Sequence, residues 1–363
     1  MPRILFVAAH RPDRSPSQRY RFEQFAAYWE RHGFTHTYAW LIDEADDAAF
    51  YAPGNMLAKG RIFLKGWLRR ARQMDLAREH DLIFLQREAF MTGSTRFERR
   101  LKESGKPLIY DFDDAIWHLD VSEANRRLRW LKNPGKTADL IAMADQVIAG
   151  NAYLADYAHH HNERVLVIPT VIDTDRYQYQ ERARHDGVVT IGWTGSHTSQ
   201  AYLEQALPVM HSLFSEHGDR LRFKVVSDRP LRAEGLPIDQ VTWNSRTEPE
   251  DLADIDIGIM PMPDNEWSRG KCGFKGLQYM ALGTAVVLER VGVNPDIVSA
   301  GVNGLLANGP EEWSKALGSL ITDADLRDRL GREARRTVEE RYSVKAWRDR
   351  YLEVFNELIE NKR

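Results

Sequence analysis

The sequence predicts an α/β protein made of two Rossmann-like, doubly wound parallel sheets facing a cleft. Three observations lead there. Apolar runs of strand length alternate with amphipathic segments of helix length, the alternation stops and restarts once, and 363 residues exceed what a single hydrophobic core usually serves. Strands are expected at 4–8, 37–41, 82–86, 108–111, 146–149 and 165–168, with helical patterns such as 17–32 and 138–144 between them. A polar stretch rich in Arg, Gln and Asp occupies 173–187, after which strands recur at 188–193, 222–226, 255–260, 284–288 and 304–307. The expected organisation is an N-terminal domain over 1–170, a C-terminal domain over 171–343 and a last helix over 344–363. That helix carries Trp347, Tyr351, Val354, Phe355 and Leu358 on one side, a stripe that must be covered.

Composition narrows the functional classes. Hydrophobic residues make up 43% and charged residues 28%, the profile of a globular chain, and the net charge of −3 gives no nucleic-acid signal. The lone Cys272 excludes an internal disulfide framework and fits a reducing compartment. No uncharged apolar run of about eighteen residues occurs. The N-terminus enters a strand directly, without the apolar core of a signal peptide, so a cytoplasmic location is expected.

In doubly wound sheets ligands bind beyond the carboxyl ends of the strands, and the residues just after each strand are the informative ones. The first strand leads into AHRPDRSPSQRYRFEQF, with His10, Arg11, Arg14, Arg19 and Arg21 before and within a helix. This reads either as an anion or acceptor site or as a solvated loop with Ser17 as helix cap. The fourth strand leads into YDFDDAIWHLD, where crowding of Asp111, Asp113 and Asp114 would raise one pKa and offer a base or a hydroxyl-binding group. A divalent metal is the weaker reading, because no histidine partners accompany them, and a solvated turn is the plain alternative. After the seventh strand, Gly192, Gly195, Ser196 and Thr198 form a glycine-hydroxyl loop that opens a helix, a phosphate cradle in principle.

The richest segment is 270–288, GKCGFKGLQYMALGTAVVL. Gly270, Gly273 and Gly276 permit close backbone approach, while Lys271 and Lys275 put two ammonium groups at a helix start, a place suited to a phosphorylated ligand. Gly283 ends the helix and an apolar strand follows. Trp117, Trp193 and Trp267 stand near strand ends, where an indole can stack on a sugar or base. The consecutive His159, His160 and His161 point in different directions on a helix and cannot chelate one ion.

Along nearly its whole length the chain resembles the retaining, family-4-like (group 1) glycosyltransferases of the GT-B fold. KGLQYMALGTAVV is similar to their E-A-M-A-x-G-x-P-V-V segment, with Asp296 where they often have an acid, and GVNGLLA to their G-x-x-G-L-L turn. IPTVIDTDRY resembles P-N-G-V-D-x-x-x-F, DIDIGIMPM a strand of the type A-D-v-x-v-x-P-S, and YSVKAWRDRYLEVF the final helix that crosses back to the N-terminal lobe. Two glutamates with seven residues between them are the family hallmark, and Gly270 and Gln278 stand in their places. The resemblance implies a metal-independent hexosyltransferase with no cofactor, moving sugar from a nucleotide diphosphate sugar to a glycan or lipid-linked acceptor with retention, in surface polysaccharide or glycoconjugate synthesis. It implies donor binding by Gly195, Ser196, Arg269, Lys271, Lys275 and Gln278, the last on ribose hydroxyls. It also implies acceptor binding by His10, Arg19 and Arg21, and Asp111, Asp113, Asp114 and Lys275 as the catalytic set. A sugar-nucleotide epimerase, a phosphorylase or a noncatalytic sugar-nucleotide-binding scaffold of the same fold are the competing readings.

Two basic segments bear on the acceptor. Residues 56–74 hold six Lys or Arg and no acid up to Met74, with Phe63, Leu64, Trp67, Leu68, Ala71 and Met74 on one helical face. That pattern suits an anionic membrane surface at the inner face of the membrane, but a helix whose stripe packs into the domain core is the commoner case. The second cluster, Arg126, Arg127, Arg129 and Lys132 with Trp130, would steer a charged acceptor.

Overall fold

The computed structural model describes residues 1–52, 54–118, 133–179 and 187–362, so the Arg126–Lys132 cluster lies outside the described residues. The chain forms two compact units, one of Met1–Thr170 with Trp347–Arg363 and one of Val171–Ala346. Each unit holds a six-stranded, all-parallel sheet.

In the first unit the strands are β1 (Arg3–Val7), β2 (Thr35–Ala39), β3 (Leu82–Gln86), β4 (Leu108–Phe112), β5 (Gln146–Ala149) and β6 (Val165–Val167), in spatial order β2-β1-β3-β4-β5-β6. β3 and β4 are buried along their whole length, which is why neither alternates apolar with polar residues; Gln86 and Asp111, toward their carboxyl ends, are the polar exceptions. The helix Val344–Glu360 covers this unit: Tyr351 and Phe355 are fully buried, their rings 4.8 Å from Phe25 and 5.0 Å from Trp29.

The helical pattern at 17–32 is not one helix. It divides into Pro16–Arg21, a single 3₁₀ turn over Glu23–Phe25, and Ala26–Arg31. The Tyr351 hydroxyl donates to the Arg21 carbonyl at 2.9 Å, and the Phe25 amide turns instead to Phe22, which breaks the α-helical ladder there.

The second unit contains β7 (Val189–Gly195), β8 (Leu221–Ser227), β9 (Ile238–Thr242), β10 (Ile257–Met260), β11 (Ala285–Glu289) and β12 (Leu305–Ala307), ordered β12-β11-β10-β7-β8-β9. β9 was not expected from the sequence. It is an edge strand whose Asp239, Gln240 and Thr242 are exposed, so it carries no apolar run. The helix Phe274–Ala281 ends in a Schellman turn, with the Gly283 amide on the Met280 carbonyl, the Thr284 amide on that of Tyr279, and Gly283 at φ 69°.

Candidate functional site

The most pointed chemistry in the second unit gathers at the carboxyl ends of β7 and β10. Lys275, in the first turn of the helix Phe274–Ala281, donates from Nζ to Ser199 Oγ at 3.0 Å. The same ammonium lies 4.3 Å from the centroid of the buried Trp193 ring. A Cβ on Gly195 would stand 2.5 Å from Nζ, so only glycine at the end of β7 lets the lysine enter. Lys271 seats its ammonium 4.6 Å from the Trp267 ring centroid. Trp193 and Trp267, read from sequence as ligand-stacking rings, thus have lysine ammoniums on their faces.

Burial, and after it the charge of Lys271, lower the Lys275 pKa to about 7. Among the described residues no carboxylate pairs with Lys275; its partners are a hydroxyl and an indole. An ammonium that is desolvated, pressed toward a second ammonium and given no acid is an arrangement that an anion completes.

The surrounding residues are more committed than their sequence suggests. Asp228, at the end of β8, accepts from the His197 amide and pairs with His197 Nδ1, both at 2.6 Å, so a protein carboxylate already caps the helix that the glycine-hydroxyl loop opens. Ser196 is exposed, with its Oγ 2.8 Å from Thr198 Oγ1. Arg269 is held by Asp264 through two bonds of 2.8 and 3.2 Å. Gln278 is 1% exposed and donates to the Tyr177 hydroxyl at 2.8 Å; that hydroxyl donates to Glu248, which also receives Trp243 Nε1 at 2.7 Å. Gln278 therefore belongs to a buried relay that fixes the helix from inside.

In the first unit arginines compensate the acidic trio, while burial and the charge of Asp113 still act to raise Asp111, as expected from the sequence. Arg21 and Asp111 are both fully buried and pair at 2.5 Å, and Arg21 also donates to the Ile168 carbonyl at 2.5 Å. Burial keeps the Asp111 carboxyl above its ordinary range in spite of Arg21. Neither residue reaches a surface, which removes Asp111 as a catalytic group and Arg21 as an acceptor ligand. Asp113 accepts from Ser17 Oγ at 2.6 Å and from Arg87 at 2.8 Å, and Arg87 also holds Asp114. Burial would raise Asp113, but Arg87 and then Arg21 outweigh it and hold the carboxyl below its usual range, so it stays ionised and accepts these hydrogen bonds.

Arg87 is the residue that sequence reading missed. It follows β3 with φ 61°, a left-handed conformation uncommon for a side chain of its size, and its only sequence signal was a position just beyond a strand end. Arg19 is buried with Nε 3.1 Å from Asp13. His10 is lowered to about 4 by burial and then by Arg14, and its ring nitrogens lie 3.3 Å from the Tyr51 hydroxyl, so at neutral pH it is an uncharged partner. Trp117 stacks on Tyr157 with centroids 3.8 Å apart. Among the described residues no group of three or more His, Cys, Asp or Glu side chains is placed to hold a metal ion.

Comparison with known proteins follows this division. Residues 186–323 match the family model described as glycosyl transferases group 1. The D-inositol 3-phosphate glycosyltransferase of Corynebacterium jeikeium is 36% identical over 111 residues, which is 29% of this chain and 25% of that protein. Its counterpart from Corynebacterium urealyticum is 36% identical over 85 residues, 22% of this chain and 19% of that protein. The matched stretches span at most a quarter of these curated relatives.

Solved structures are similar over nearly the full length. The sucrose-phosphate synthase of Thermosynechococcus elongatus superposes with a TM-score of 0.72 at 12% identity, covering 99% of this chain and 100% of that one. Anabaena HepE, in complex with UDP and glucose, superposes with a TM-score of 0.68 at 15% identity, covering 98% and 100%. The fold is GT-B. At these identities the GT-B likeness is one of architecture, and the chemistry has to be argued from the chain's own residues.

Proposed function

We propose that the chain is a glycosyltransferase that takes a sugar from a nucleotide diphosphate donor and delivers it, with retention and without a metal, to a hydroxyl of a glycan or lipid-linked acceptor. One observation carries the reading: Lys275 is desolvated, beside Lys271, and has no carboxylate partner among the described residues. A diphosphate supplies the missing negative charge. As the glycosidic bond breaks, charge grows on the leaving phosphate, and an ammonium already fixed by Trp193 and Ser199 stabilises it without reorganisation. Lys271 adds a second cation, and Gly195 and Ser196 bring backbone amides to the same strand end. We leave Arg269 outside this grip because Asp264 compensates it, and we give Gln278 a positioning task through Tyr177.

Acceptor recognition is assigned to the first unit. There Asp113, Asp114 and Arg87 form a partly exposed, polar strand-end group beside Ser17, with His10 as a neutral partner nearby in the chain. The match over 186–323 and the nucleotide complexes of neighbours such as Anabaena HepE support the donor class.

Incubation with a panel of nucleotide sugars and detection of released nucleoside diphosphate tests the proposal. Release that requires an acceptor is expected. Donor-dependent thermal shift without any release would point to the noncatalytic binding protein, and turnover of the donor without acceptor to an epimerase.

A further inference from the structure

The helix Met56–Gln73 has two apolar sides, and the fold uses only one. Ile62, Gly66 and Arg70 are buried at four-residue spacing. Phe63 and Trp67 sit beside them, 4.9 Å from Phe90 and 6.0 Å from Phe97 between ring centroids. Arg70 is fully buried and binds the carbonyls of Ala8, Ala39 and Ala89, which ties the helix to the carboxyl ends of β1 and β2 and to the chain beyond β3. The face expected from the sequence, from Phe63 to Met74, is therefore divided: Phe63, Trp67 and Met74 face the domain, and Leu64 and Leu68 do not.

What remains outside is a leucine ridge. Leu57, Leu64 and Leu68 are 90%, 58% and 45% exposed. At 100° per residue they fall within an arc of about 40°, opposite Gly66. Arg61 and Arg72, both exposed, flank that arc on one side, and Lys65 and Arg69 follow further round. Lys65 and Arg69 are held by Asp43 and Asp46, whereas no ion pair engages Arg61 or Arg72 among the described residues. The segment Met56–Gln73 itself contains no acid.

We infer that this ridge is a membrane-docking surface, which lays Leu57, Leu64 and Leu68 into the interfacial region of an anionic bilayer while Arg61 and Arg72 meet lipid phosphates. Three leucines in line with cations along one edge are the pattern of a helix lying in the membrane plane. Charge decides between a bilayer and a second copy of the chain, because a symmetric pairing of this face would bring Arg61 and Arg72 toward their own equivalents. No helix among the described residues is long and apolar enough to cross a membrane, so the contact is peripheral to the chain described. This inference does not depend on the glycosyltransferase proposal, since its readout is lipid binding alone.

The test is co-sedimentation of the full chain with vesicles of phosphatidylcholine containing one third phosphatidylglycerol, and with phosphatidylcholine alone. Binding to the anionic vesicles at low salt is expected, weakening as salt rises. Leu57→Ser/Leu64→Ser/Leu68→Ser should lower the partition coefficient at least ~10-fold, as loss of buried apolar area requires. Arg61→Gln/Arg72→Gln should remove most of the preference for anionic over neutral vesicles. Both variants change exposed positions, and an unaltered circular dichroism melt shows that each still folds. Sedimentation of the serine variant equal to wild type, or no binding of the wild type at low salt, overturns the inference. So does a dimer in light scattering that the serine variant dissociates without any lipid binding by the wild type.

Discussion

The cations of the first unit and Lys275 of the second solve the same electrostatic problem in opposite ways. Arg21 is answered by Asp111, Arg87 by Asp113 and Asp114, and Lys136 by Glu88 and Glu98 at 3.0 Å each. Arg70, which forms no ion pair among the described residues, is answered by three backbone carbonyls and the Gln73 side-chain carbonyl. Lys275 has a hydroxyl and an aromatic face, and burial, then the charge of Lys271, lowers its pKa to about 7. A charge balanced by its own chain is part of the architecture, and one left unbalanced at a strand end marks where a ligand's charge belongs.

The sharpest break of this comparison is Arg21→Ala. It strands Asp111 in the interior and should cost about 3–5 kcal/mol of stability, read by urea denaturation. Nucleotide binding by the protein that stays folded should be unchanged. The double replacement Arg21→Met/Asp111→Leu should recover most of the loss, since an apolar pair leaves no uncompensated charge.

Lys275→Met should do the reverse. Donor turnover should fall by about 10²–10³-fold, the usual consequence of removing one preorganised charge from a leaving-group site. The unliganded protein should melt at the same temperature or slightly higher, because a desolvated ammonium has been removed. A melt lowered by several degrees would mean that Lys275 is architectural like Arg21.

A smaller effect should appear with pH. The Lys275 pKa is lowered, so its ammonium is present below about 7 and lost above it. A diphosphate binds the protonated form, so apparent donor affinity should decline above pH 7 by up to ~10-fold per pH unit. In Lys275→Met that decline should flatten.

Legibility in the sequence follows the same physics. The buried strands β3 and β5 are continuous apolar runs and their limits were readable to the residue, whereas β9, on the edge and polar, left no such trace. Lys271 and Lys275 announced themselves because glycines and cations in succession are unusual before a helix. Their partners did not: Trp193, Ser199 and Gly195 come to Lys275 from about eighty residues away, through the pairing of β7 with β10. Asp111, Asp113 and Asp114 looked like a catalytic trio because their adjacency is visible in the chain, while Arg21 and Arg87, which neutralise them, lie 90 and 26 residues distant. The basic helix showed its composition but not its division, which depends on where Phe90 and Phe97 stand.

The central claim is that Lys275 holds the donor's diphosphate. Calorimetric titration with a panel of nucleoside diphosphates at pH 8, repeated in two buffers of different ionisation enthalpy, tests it most directly. Wild type should bind one member of the panel and take up close to one proton per ligand, as the lysine with its pKa near 7 recharges against the diphosphate. Lys275→Met should bind weakly and take up none. Tight binding by the wild type with no proton uptake, or equal uptake in the variant, would contradict the account.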